Sequence, residues 1–135
     1  MHEFAVASDA HAQLIPITPE VQAAVAALGV TDGAVLVHVP HTTAAVTVNE
    51  GADPDVAADL LRRFDALVPW RDPADSHDEG NSAAHFKSSL VGCSSVLPVV
   101  GGKLALGTWQ AVFFCEFDGP RRRRVQVFAV RDKAG

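Results

Sequence analysis

The stretch Trp109–Phe117 limits the fold more than any other part of the chain. Side chains alternate along a strand. Trp109, Ala111, Phe113, Cys115 and Phe117 therefore share one face, and Gln110, Val112, Phe114 and Glu116 share the other. Both faces are apolar in the middle, so this strand, the longest in the reading, needs cover on both sides. In a chain of 135 residues, another subunit is one candidate for the second cover.

The remaining pattern mixes strands with helices, and the length suits a single domain spanning 1–135. Phe4–Val6 and His11–Pro16 read as short strands joined through Ser8-Asp9-Ala10, a hairpin. Thr18-Pro19-Glu20 starts a helix with a hydroxyl cap and an early proline. Val21, Ala24, Val25 and Leu28 form its apolar face, and Gly29 stops it. Strands follow at Ala34–Val39 and Ala44–Asn49. The second has a small polar face (Thr43, Ala45, Thr47, Asn49) suited to lining a cleft. Asp53-Pro54-Asp55 starts a second helix, with Val56, Leu60, Phe64 and Leu67 or Val68 as its buried stripe. A third helix starts at Asn81 or Ser82, faces the core with Ala83, Phe86 and Leu90, and closes at Gly92. Ser95–Val100 is an edge strand because of Pro98. Lys103–Leu106 and Val125–Val130 read as further strands.

The chain carries no apolar run long enough to span a bilayer and no leader pattern, which points to the cytoplasm. Its net charge of −5 disfavours nonspecific binding to nucleic acid or anionic membrane. Cys93 and Cys115 are too few for a disulfide framework, and their apolar neighbours suggest buried, inert thiols.

The chemistry is concentrated in His77–Leu90. Two imidazoles, two carboxylates, a lysine and several small polar residues fall in one run, where Gly80 turns the loop into the third helix. His77 and His85 are candidate ligands for a divalent metal, zinc foremost. His41, at a strand end, is the leading third ligand; Glu50, Asp53, Asp78 and Glu79 are carboxylate alternatives. Glu79 suits a general base or a partner that orients a histidine. Lys87, Ser88 and Ser89, near a helix start, and Arg121 with its neighbours suit an anion, although Arg121–Arg124 also reads as the solvated start of a strand. No Walker loop, dinucleotide fingerprint or nucleophile elbow is present.

Six motifs occur together in order: His41-Thr42-Thr43-Ala44, Asn49-Glu50, Asp53-Pro54-Asp55-Val56, Glu79-Gly80-Asn81 with His85 and Lys87, Leu106-Gly107-Thr108-Trp109-Gln110, and Asp118-Gly119-Pro120-Arg121. From about Phe4 to Val130 the chain resembles the YjbQ-like family, known as secondary thiamine-phosphate synthase enzymes. The resemblance implies a compact α+β fold with antiparallel strands packed as a sandwich and about three helices, a homotrimer, a histidine-lined pocket near a subunit interface, and a weak thiamine-phosphate synthase activity. It also strengthens the reading of His77 and His85 as metal ligands. On this reading His41, His77 and His85 hold the metal, with Lys87 and Arg121 helping to neutralise a leaving diphosphate. Glu79 or Glu50 orients a ligand or moves a proton, and His85 belongs to the same catalytic set. Asn49 and Gln110 hydrogen-bond the phosphorylated small-molecule substrate, and Trp109 forms an apolar wall. The rival readings are a metal-dependent hydrolase of a phosphorylated or acyl small molecule and a noncatalytic binding trimer.

Overall fold

A computed structural model describes residues 1–131. Two antiparallel sheets pack face to face. One has five strands in the order β1 (His2–Ala7), β8 (Arg122–Val130), β3 (Gly33–His38), β5 (Ser94–Val100), β6 (Lys103–Leu104); the other has three, β2 (Gln13–Pro16), β7 (Gln110–Glu116), β4 (Ala44–Glu50). Between them lies a valine-rich core that includes Val35, Val37, Val99, Val125 and Val127 from the first sheet and Val46, Val112 and Phe114 from the second. Helix α1 (Thr18–Leu28) closes this core with Val21, Ala24 and Val25.

β7 is covered on both faces. Val112 and Phe114 enter the core between the sheets, while Phe113 and Cys115 join Leu14, Ala45 and Phe117 in a second cluster. Leu60 and Phe64 of α2 (Pro54–Leu67) and Ala84 of α3 (Ser82–Val91) complete that cluster. The second cover is thus a helical layer of this same chain. β8, with nine residues, is longer than β7, with seven.

Several local expectations change. β1 and β2 form no hairpin: β1 pairs with β8 and β2 with β7, so the chain crosses between sheets at Ser8–Ala12. Thr18 does not cap α1. Its Oγ1 instead accepts the Val112 N–H at 2.9 Å and ties the helix start to β7. Asp53 does cap α2, accepting from the Asp55 N–H at 2.9 Å.

Helix α3 is rotated from the expected orientation. Phe86 and Leu90 are exposed, and Ala83, Ala84, Lys87 and Ser88 are buried. Small residues let the helix sit close on β4, where Ser88 Oγ donates to the Ala44 carbonyl at 2.7 Å. Lys87 is buried along its stem and reaches Asp65 at 3.6 Å. Cys93 is exposed, contrary to expectation, and Cys115 is buried.

Pro98 is accommodated as an edge residue. Its carbonyl accepts from Ala105 N–H on the outer side of β5, where β6 pairs only with Val99 and Val100. A proline nitrogen on that side forfeits no interior ladder bond.

Candidate functional site

Three distant segments meet where β4 begins and β7 ends. The turn after β3 brings Pro40–Thr43, the loop before α3 brings His77, Glu79 and Asn81, α3 brings His85, and β8 with the turn before it brings Arg121 and Arg123. Together they line a polar cleft of about 480 Å³. Gly80 sits at φ +70° with no atom near its missing side chain. It is therefore the left-handed backbone, not crowding, that calls for glycine there. Gly119 is the opposite case: a Cβ would come within 2.3 Å of the Ala10 carbonyl oxygen and 2.8 Å of Ser8 Oγ.

The base of the cleft is a buried ion pair. Glu116 is fully buried and Arg123 nearly so. Arg123 Nε donates to Glu116 Oε1 at 2.9 Å and Nη2 donates to Oε2, forming a fork. Nη2 also donates to Thr43 Oγ1 at 2.9 Å, while Ser8 Oγ donates to Glu116 Oε1 at 2.7 Å and Asp118 N–H donates to Oε2 at 3.1 Å. Burial alone would raise the Glu116 pKa. Hydrogen bonds from Arg123, Ser8 and Asp118, with the Arg123 charge, outweigh it and leave the carboxyl below its ordinary value. The pair links the two sheets at the mouth of the sandwich.

The wall above it is held by Asp118. Its Oδ2 accepts from Arg121 Nη2 and from Asn81 Nδ2, both at 2.8 Å. This fixes the orientation of the Asn81 amide and turns it away from capping α3. Asn81 Oδ1 is left buried without a hydrogen-bond partner among the described residues.

The three imidazoles share the cleft. The rings of His77 and His85 meet edge-on with centroids 5.4 Å apart. His41 Nε2 accepts the Arg124 N–H at 3.1 Å, so neutral His41 carries its proton on Nδ1. Burial, then the charges of Arg123 and Arg124, hold the His41 pKa below its ordinary value.

Imidazole and carboxylate donors suit zinc in kind. Yet no three His, Cys, Asp or Glu side chains among the described residues stand close enough to form a ready metal site. His41 would also have to release Arg124 N–H to bind through Nε2.

Of the residues singled out in the sequence, His41, His77, His85, Glu79 and Arg121 come together. Asn49, Glu50, Trp109 and Gln110 do not. Ala44 pairs with Glu116 at the cleft end, whereas Glu50 pairs with Gln110 at the far end of the same ladder. Six residues of strand separate these points by about 20 Å. Trp109 is exposed there. Lys87 does not line the cleft and is committed to Asp65. Sequence reasoning missed Asn81, Glu116 and Asp118 as parts of the site, and missed that Arg123 is paired with Glu116. The available signal was Glu116 itself, a carboxylate on an otherwise apolar strand face, which requires a buried cationic partner.

Comparison with known proteins bears on the family and the fold. Residues 2–132 match the family model described as UPF0047 protein YjbQ-like. The UPF0047 protein YugU of Bacillus subtilis is 57% identical over 115 residues, covering 85% of this chain and 87% of that protein. The UPF0047 protein MJ1081 of Methanocaldococcus jannaschii is 44% identical, with 98% and 96% covered. A crystal structure of an uncharacterized YjbQ/UPF0047 protein from Clostridium acetobutylicum superposes with a TM-score of 0.93 at 46% identity, covering 96% of this chain and all of that one. With that match over nearly its full length, and with the fold it shares, the chain belongs to the YjbQ-like UPF0047 family.

Proposed function

We propose that the histidine cleft carries out a thiamine-phosphate synthase-like condensation. The thiazole nitrogen of a thiazole phosphate would attack the methylene of a hydroxymethylpyrimidine diphosphate. The C–O bond to the diphosphate breaks first, its electron pair leaving with pyrophosphate, and the new C–N bond forms to the benzylic-type cation that remains. The thiazole becomes a thiazolium, and no proton has to move in that step. The observation that supports this reading is the convergence of His41, His77, His85, Glu79, Arg121 and Arg123 in one cleft of about 480 Å³.

In this reading Arg121, exposed and anchored by Asp118, offers the departing diphosphate the guanidinium N–H groups that Asp118 does not use, while Arg123, anchored by Glu116, keeps the cleft in shape. Glu79 orients an imidazole or, when protonated, gives its proton to the departing pyrophosphate. A divalent metal, zinc foremost, is part of the proposal: His41, His77 and His85 would hold it only after drawing closer than they stand here, and it would supply further positive charge for the leaving group. The test is incubation of purified protein with both substrates, with and without added zinc, scored for thiamine phosphate and pyrophosphate together. Formation of neither product under any condition refutes the reading.

Glu79 beside two imidazoles also supports a second reading, hydrolysis of a small phosphorylated or acyl compound with water in place of the thiazole. Substrate loss without thiamine phosphate would select it, and binding without turnover would select a noncatalytic role. We also propose a homotrimer. The uncovered face of the five-stranded sheet carries the cross-strand row Val96–Leu36–Phe128, in which Val96 and Phe128 are exposed apolar groups. Light scattering after size exclusion tests it. None of the described helices is long and apolar enough to cross a membrane; a cytoplasmic location is part of the proposal and is checked by fractionation.

A further inference from the structure

The run Arg121–Arg124 divides into two kinds of arginine. Arg121 and Arg123 are neutralised one-to-one by Asp118 and Glu116. Arg122 and Arg124 alternate with them on β8 and project to the opposite, exposed face. Among the described residues neither guanidinium makes an ion pair or a hydrogen bond.

The strand opposite leaves room for a ligand. Arg124 pairs with Ala5 and Arg122 with Ala7, and side chains this small leave a trough above the sheet. The resulting cleft is about 410 Å³, lined by Glu3, Phe4, Ala5, His41 and Arg122–Arg124. It shares His41 and Arg123 with the histidine cleft. Among the described residues Glu3 is the one acid in the lining, and its Oε2 accepts from Gln126 Nε2 at 2.9 Å. With Arg123 cancelled by Glu116, Arg122 and Arg124 exceed Glu3 by one positive charge. Two arginines two residues apart on a strand have Cα atoms about 7 Å apart. Their forks can therefore close on a single tetrahedral anion.

We propose that this trough is a binding site for a small phosphate ester, gripped by Arg122 and Arg124. In the condensation described above it takes the phosphate of the thiazole partner. That assignment rests on the proposed reaction, whereas the anion site itself rests only on the trough. One surplus charge in a chain of net charge −5 favours a small anion over a nucleic-acid backbone.

The probe is inorganic phosphate, titrated calorimetrically into the wild type, Arg122→Ala, Arg124→Ala, the double variant and Lys103→Ala as an exposed-cation control. Loss of one charged hydrogen-bonding group should weaken binding roughly tenfold or more. The double variant should lose saturable binding, and the control should match the wild type. Circular dichroism establishes that the variants, altered only at exposed positions, are folded. Equal phosphate binding in the double variant, or no saturable binding in the wild type, overturns the site. Tighter binding of single-stranded DNA than of phosphate, lost in the double variant, overturns the small-anion assignment. In turnover, the double variant should raise KM for the thiazole phosphate and leave kcat unchanged. Unchanged KM with normal turnover overturns the role in the reaction. Arginine-dependent phosphate binding without any thiamine phosphate formation supports the site and removes the reaction.

Discussion

Replacing Glu116 by glutamine should be among the most damaging single changes in the chain. The two carboxylate oxygens accept four hydrogen bonds, from Ser8, Asp118 and two Arg123 nitrogens. A glutamine amide keeps the shape, but its one oxygen serves only the two donors on its own side. Its NH₂ group then faces two other donors, and Arg123, nearly fully buried, loses its counter-charge. Removing one member of a buried pair costs about 3–5 kcal/mol. For a domain of this size, about 3–4 °C is lost per kcal/mol, so Tm should fall by about 10–20 °C. Thermal unfolding followed by circular dichroism measures this, with urea midpoints as a second estimate. The double variant Glu116→Gln/Arg123→Met removes the stranded charge and should recover about half of the loss, a coupling of order 2 kcal/mol. A single-variant loss below about 1 kcal/mol would refute the argument, because the pair would then be behaving as though solvent already reached it.

Three further predictions follow from burial and charge. His41 has a depressed pKa, so between its folded value and about 6.5 the unfolded chain binds more protons than the folded one. Stability should therefore fall as pH drops below about 6.5, and a two-dimensional NMR titration should place the His41 midpoint below that value. Glu116 adds a second loss at lower pH: its contribution is complete above the ordinary carboxylate value and disappears as pH falls through its depressed folded pKa. A colourimetric thiol reagent should modify one cysteine per native chain and two after denaturation, since Cys93 is exposed while burial raises the Cys115 pKa to about 12. Phe86→Ser should change stability by no more than about 1 kcal/mol, against about 3–5 kcal/mol for Phe114→Ala, because Phe86 is exposed and Phe114 fully buried; equal losses in urea denaturation would contradict the observed rotation of α3.

The layered fold was legible because β7 announced two apolar faces and the helix boundaries carried strong punctuation. The rotation of α3 was not. Its small residues Ala83, Ala84 and Ser88 pack closer than Phe86 and Leu90 would permit, and counting apolar bulk favours the larger side chains. The cleft was half legible. His41, His77 and His85 belong to recognisable strand-end and loop-to-helix motifs, so their convergence could be anticipated. The committed and uncommitted arginines could not be separated, because that depends on which face of β8 meets Glu116 across a sequence gap of seven residues. The separation of Asn49, Glu50, Trp109 and Gln110 from the histidines is likewise a matter of register, visible only once β4 and β7 are aligned.

The placement of β8 between β1 and β3 also bears on how the chain acquires its shape during synthesis. Among the described residues the first strand pairs only with β8, so a nascent chain emerging from the ribosome must hold β1 without that partner until residues 122–130 are available. Until then β3 also exposes the edge that β8 later occupies. Arg123 arrives in that same last segment, so the cleft can assemble only after the closing strand has inserted. Stalled or truncated products should be sticky and should lack the assembled cleft.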